Sequence, residues 1–140
     1  MSELVKDLQK RLNEGGFTCV LRVNGSEYTS FERGVKPLLA FLASGDSFCG
    51  GVAADKTVGA GAAYLYVLLG VQALWANVIS EAAVAVLAKH GINVFYGERV
   101  PYIINRQGNG ICPIEKAVAP AENATHAHTL ILEALQNLRK

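Results

Sequence analysis

The stretch Ala53-Ala54-Asp55-Lys56-Thr57-Val58-Gly59-Ala60-Gly61-Ala62-Ala63 decides the fold. An apolar run reaches a polar pair, Asp55-Lys56, and then enters a helix whose first turn carries almost no side chains. A strand that feeds a bare helix N-terminus is how α/β folds build ligand sites at the carboxyl ends of their strands. The pattern predicts a strand over Phe48 to Ala54 and a helix from Thr57 to Leu69, ended by Gly70.

The same alternation continues downstream. Val71 to Ile79 reads as a strand apolar on both faces, Ser80 to Lys89 as a helix ended by Gly91, and Ile92 to Tyr96 as a strand. Doubly apolar strands alternating with helices point to parallel strands covered on both sides. Upstream, Leu4, Val5, Leu8 and Leu12 recur at helical spacing, and Gly15-Gly16 ends that run. Phe17 to Val23 and Glu27 to Phe31 flank Asn24-Gly25, the strongest short hairpin signal. Val35 to Ala43 reads as a short helix, with Pro37 tolerable in its first turn. After an irregular segment from Val100 to Ile111, Cys112-Pro113 opens a short helix, and a last helix runs from about Glu122 to Leu138. The expectation is one α/β domain over 1–140: a three-layer α/β/α sandwich with a mixed five-stranded sheet.

Composition narrows the function classes. The chain has 140 residues, 51% of them hydrophobic and 18% charged. This apolar bias favours a homo-oligomer, most simply a dimer. Thirteen basic and 12 acidic residues give a net charge of +1 and form no block, so no nucleic-acid or membrane-surface partner is expected. The N-terminus is too polar for a secretory signal, and no run approaches the length of a membrane span. Three widely spaced cysteines, Cys19, Cys49 and Cys112, form no CxxC pair and suit a reducing, cytoplasmic location.

The order of elements resembles the cytidine deaminase-like fold. The chain is more closely similar to the prokaryotic family catalogued as domain of unknown function 1893. The residues that carry this likeness are Val52 to Gly59, Val78-Ile79-Ser80-Glu81, Val100 to Arg106 and Cys112 to Val118. That family brings no assigned reaction. True deaminases place a His or Cys, and a Glu two residues later, at one helix start, and a Pro-Cys-x-x-Cys at the next. The corresponding positions here read Asp55-Lys56-Thr57-Val58 and Ser80-Glu81-Ala82-Ala83, so no metal ligands and no cofactor are expected.

The candidate residues follow from this frame. Lys56 offers charge for an anionic or carbonyl-bearing small molecule at the helix start, where Thr57 and the bare Gly59 and Gly61 let a ligand approach backbone N–H groups. Asp55 either caps that helix or contacts the ligand. Ser80 reads as the cap of the next helix, and Glu81 faces the same cleft if the two helices start side by side. Cys112, ahead of Pro113, is either a nucleophile favoured by the helix dipole or a packed core thiol. Asn105 and Arg106, before the Gly108-Asn109-Gly110 loop, are candidate orienting groups, with turn formation as the simpler reading. Three functions remain: a zinc-independent small-molecule binding protein, a covalent enzyme using Cys112 with Glu81 or Asp55 as proton acceptor, and a non-catalytic scaffold or regulator.

Overall fold

The computed structural model describes residues 1–105 and 107–138. Helix α1 (Glu3–Gly15) starts at Ser2, whose hydroxyl accepts from the Val5 N–H, and buries Val5, Leu8 and Leu12. Strands β1 (Cys19–Val23) and β2 (Ser26–Ser30) pair antiparallel with Val23 opposite Ser26. Asn24 and Gly25 between them have φ of 50° and 80°, the two positive values that a two-residue hairpin turn of the favoured hand requires. Helix α2 (Lys36–Ala43) carries Pro37 in its first turn.

Then come β3 (Val52–Val58), α3 (Ala60–Leu69), β4 (Ala73–Ser80), α4 (Glu81–Lys89) and β5 (Asn93–Val100). The chain closes with α5 (Pro113–Ala117) and α6 (Ala124–Leu138). The sheet order is β2-β1-β3-β4-β5. β1 runs antiparallel to β2 and β3, and β3, β4 and β5 are parallel. This is the expected mixed five-stranded α/β sheet with helices on both sides.

The two faces divide the core. On one, α1 packs Val5, Leu8 and Leu12 against Val20, Val52, Ala54 and Ala73, with Trp75 and Phe95 half-buried at the margin. On the other, α3 is wrapped by α2, α4, α5 and α6, which explains why its sequence shows no polar face. Gly70 ends α3 at φ 79°, and an added Cβ there would come within 3.3 Å of the Cys49 backbone, so both conformation and space call for glycine.

Several boundaries differ from the sequence reading. Phe48 lies outside β3: Gly45 and Gly50 adopt φ of 82° and 81°, which breaks any extended run, and Phe48 packs edge-on against Tyr28 instead. β3 therefore begins at Val52. It also runs on to Val58, because Thr57 and Val58 remain paired with Val78 and Ile79 of β4. Helix α3 starts at Ala60 and not at Thr57, with the extended Gly59 before it. β5 is longer than expected, reaching Val100, and it is an edge strand. Tyr96 is consequently 39% exposed.

Candidate functional site

The carboxyl ends of β3 and β4 lie side by side, and α3 and α4 leave the sheet from them. One irregularity shapes this edge. Along β3, Ala53 and Asp55 are buried on the α3 side, Lys56 and Thr57 are both exposed, and Val58 is buried again in the same core. β4 does likewise: Ala76 is buried, Asn77 and Val78 are half-exposed, and Ile79 returns to the core. The period-two alternation slips by one residue in both strands at the same level, as a bulge would make it do. The slip draws Val58 and Ile79 beneath the starts of the helices and turns Lys56 and Thr57 outward.

Asp55 neither caps α3 nor faces a cleft. It sits inside β3, opposite Cys19 of β1, and its Oδ2 accepts from the Tyr66 hydroxyl of α3 at 2.7 Å. Its Oδ1 accepts from the Thr57 N–H at 3.3 Å, and the Cys19 Sγ lies 3.3 Å from the Tyr66 hydroxyl oxygen. Burial is the largest influence on this carboxyl and pushes it up to about 7, against the lowering effect of the bonds from Tyr66 and the backbone. Burial also raises the Tyr66 hydroxyl and the Cys19 thiol well above their ordinary values, and the Asp55 charge adds to both shifts. The reason for the misplacement is local. With β3 extended through residue 55, side-chain parity turns Asp55 under α3 and Lys56 to the opposite side. Lys56 is exposed on the strand, and its N–H donates to Thr18 O at 3.1 Å.

The helix start itself is occupied from within the chain. Glu115 of α5 accepts from the Ala60 N–H through Oε1 at 3.2 Å and from the Ile103 N–H through Oε2 at 2.6 Å. One carboxylate thus covers the positive end of α3 and pins the segment after β5 to it. Gly61 makes this approach possible, whereas a side chain at Gly59 would meet Glu115 at ordinary contact distance. A Cβ on Gly59 would lie 3.4 Å from the Glu115 carboxyl, and one on Gly61 would lie 2.5 Å from the Ile114 Cγ2. The bareness of the turn therefore serves the docking of α5 on α3. Nothing in the spacing of the sequence foretold Glu115, since its partner lies 55 residues away.

The other candidates divide clearly. Ser80 is fully buried and caps α4, its Oγ accepting from the Ala83 N–H at 3.2 Å, as its sequence position implied. Glu81 is exposed in the first turn of α4. Asn105 builds its loop: its carbonyl accepts from Gly108 N–H, its Oδ1 from Asn109 N–H and its own N–H donates to Gly110 O. Arg106 lies outside the described residues. Cys112 is half-buried ahead of α5, and its N–H donates to Ile103 O at 2.8 Å. The structure thus brings Gly59, the α3 start, Ile103, Cys112 and Glu115 into one neighbourhood, with Ser80 on the adjoining strand end. It removes Asp55 to the core. Among the described residues, no group of three or more His, Cys, Asp and Glu is placed to hold a metal ion, and no helix is long and apolar enough to cross a membrane. Cavities of about 210 Å³ beside Phe48 and Cys49, and about 380 Å³ between α2 and α6, lie away from this edge.

A family model described as a domain of unknown function, DUF1893, matches residues 7–135. The chain belongs to the DUF1893 family. The crystal structure of a DUF1893 family protein from Thermotoga maritima resembles this DUF1893 chain with a TM-score of 0.83 and 22% identity, covering 98% of this chain and 92% of that one. The two share a fold. A dCMP deaminase from the cyanophage S-TIM5, in apo form, is similar at a TM-score of 0.49 and 15% identity, over 71% of this chain and all 100% of the phage enzyme. A comparison with curated proteins found no match to this DUF1893 chain.

Proposed function

We propose that this DUF1893 protein binds a small anionic metabolite, of the nucleotide-like or otherwise phosphorylated class, at the carboxyl edge of β3 and β4 where α3 begins. The observation that carries the reading is the Glu115 carboxylate on the α3 N-terminus. An anionic oxygen fits there, and it is met by N–H groups from two separate segments. Among the described residues no bond is made by the Gly61 and Ala62 N–H groups of the same turn; both residues are buried, so these donors would serve a ligand with more oxygens than a carboxylate once it displaces Glu115. Thr57, exposed at the end of β3, and Glu81, exposed at the start of α4, flank the position. Lys56, turned to the other side of the strand, supplies its charge only through the surrounding field.

The reading involves no zinc chemistry. Among the described residues the edge presents Thr57, Glu81, Cys112 and Glu115 and no imidazole, while Ser80 is buried as the cap of α4 and Glu115 is committed to two backbone donors. That donor set does not fit the three-ligand site of a deaminase. No observation favours Cys112 as a nucleophile, since it stands ahead of a helix of only five residues.

Amide shifts of Gly59, Ala60, Gly61 and Ile103 test the reading during titration with inorganic phosphate and a series of nucleoside monophosphates. Saturable shifts of these four amides are expected, enlarged in Glu115→Ala where the chain's own carboxylate no longer competes. Unmoved amides in both proteins would overturn it.

A further inference from the structure

Three titratable side chains meet in the seam between the sheet and α3, and they come from three elements: Cys19 of β1, Asp55 of β3 and Tyr66 of α3. Asp55 and Ser80 are the buried polar or charged residues among those described, and Ser80 is spent on capping α4. Among the described residues no cation faces Asp55. Cys19 faces it from β1, Tyr66 from α3 and the apolar Ala76 from β4, while Lys56 on its own strand is exposed.

Donor counting shows that the chain of bonds closes in two ways. With Asp55 ionised, Tyr66 donates to Oδ2 and the Cys19 thiol donates to the Tyr66 oxygen. With Asp55 protonated, the direction reverses: the carboxyl donates to the Tyr66 oxygen and Tyr66 donates to the sulfur. Both states keep the three side chains linked, the protonated one leaving only the weakly donating thiol hydrogen unused. They differ in charge, because the ionised state holds an uncompensated carboxylate beneath α3, and burial disfavours it.

We propose that Cys19, Asp55 and Tyr66 form a proton-sensitive clasp, which fastens α3 to the sheet while Asp55 holds its proton and loosens it when that proton leaves. The clasp is independent of any ligand at the helix start. It makes the seating of α3 respond to pH through a group that no solvent ion touches directly. The value of about 7 for Asp55 places the response near neutrality. Cys19 and Tyr66 are both raised and stay protonated through that range.

Amide exchange of α3 in the unmodified protein, corrected for intrinsic pH effects, is the test. An opened α3 exposes an ordinary carboxyl, so the opened fraction rises about tenfold per pH unit between about pH 5 and about pH 6.5 and levels off above about pH 7.5. In Asp55→Asn, which reproduces the protonated arrangement, that dependence disappears. Equal pH dependence in both proteins, or none in the unmodified one, overturns the proposal. Should Asp55→Asn fail to fold, the carbon-13 shift of the Asp55 carboxyl in the unmodified protein decides instead. A midpoint near neutrality supports the clasp, and one near that of a free aspartate, about 3.9, overturns it.

Discussion

Substituting Glu115→Ala should loosen the protein at one identifiable joint. The carboxylate makes a 2.6 Å bond with the Ile103 N–H and a 3.2 Å bond with the Ala60 N–H. The shorter is a hydrogen bond to a charged group; at a half-buried site it contributes about 1.5 kcal/mol, the low end of its class. The longer acts as a cap on α3, and losing such a cap costs about 1 kcal/mol. Together the loss is about 2.5 kcal/mol, and the Ala60 N–H is left in a buried position with no acceptor. In a chain of this size that lowers the thermal midpoint by roughly 10 °C. Glu115→Gln keeps one acceptor oxygen and surrenders the charge, so it should lie about halfway between. Urea unfolding of the three proteins at neutral pH measures the series. A loss under about 0.5 kcal/mol for Glu115→Ala would show that water replaces the carboxylate freely, and the argument that this side chain closes the α3 start would be wrong.

Other expectations follow from the same contacts. Gly61→Ala places a Cβ 2.5 Å from the Ile114 Cγ2, so it should cost about 1–3 kcal/mol by overpacking despite alanine's better helix propensity; adding Ile114→Ala should recover part of that loss in a denaturation cycle. Ser80→Ala removes a buried cap and should cost about 1 kcal/mol, measured in the same way. Asp55 is raised in the folded state, so the folded chain holds a proton that the unfolded chain has already released above about pH 4. Its contribution is complete below that point and is lost as pH rises to about 7, by up to about 4 kcal/mol. Denaturation midpoints of Asp55→Asn should therefore fall less than those of the unmodified protein between these limits, and parallel curves would refute the assignment.

The elements were legible where local chemistry alone decides them. Asn24-Gly25 fixes a hairpin because its backbone must turn with positive φ, and that constraint is written in two letters. Ser80 is a cap because a hydroxyl three residues before an open N–H has one obvious use. Phe48, by contrast, is apolar and next to a strand, yet left-handed glycines on both sides take it out of the sheet. Asp55 shows the harder case. A polar residue at the end of an apolar run looks like the start of a loop, because burying it alone would be costly. The sequence conceals that Tyr66, 11 residues on, brings the hydroxyl that makes burial tolerable. A shift of three residues in the helix start then took Asp55 out of the expected site and into the core, and turned Lys56 to the other side of the strand.

The bare first turn of α3 carries the most general lesson of this chain. Glycines at a helix start invite a ligand reading, yet the same absence of side chains is what lets α5 approach within contact distance and bring its own carboxylate. The two uses draw on one physical property, a helix end with unspent N–H groups and no Cβ to fend off what comes near. They are ordered in energy and not opposed. A tethered carboxylate acts at high effective concentration, so a free anion displaces Glu115 only when it recruits more donors than Ala60 and Ile103 provide. A phosphate group, with more acceptor oxygens than a carboxylate, can do that through the Gly61 and Ala62 N–H groups; acetate, with the same two oxygens as Glu115 and no tether, cannot. Phosphate and acetate titrations of the unmodified protein should therefore separate, with amide shifts at Gly61 and Ala62 for phosphate alone. Equal responses to both anions would mean that charge, and not donor count, governs the site.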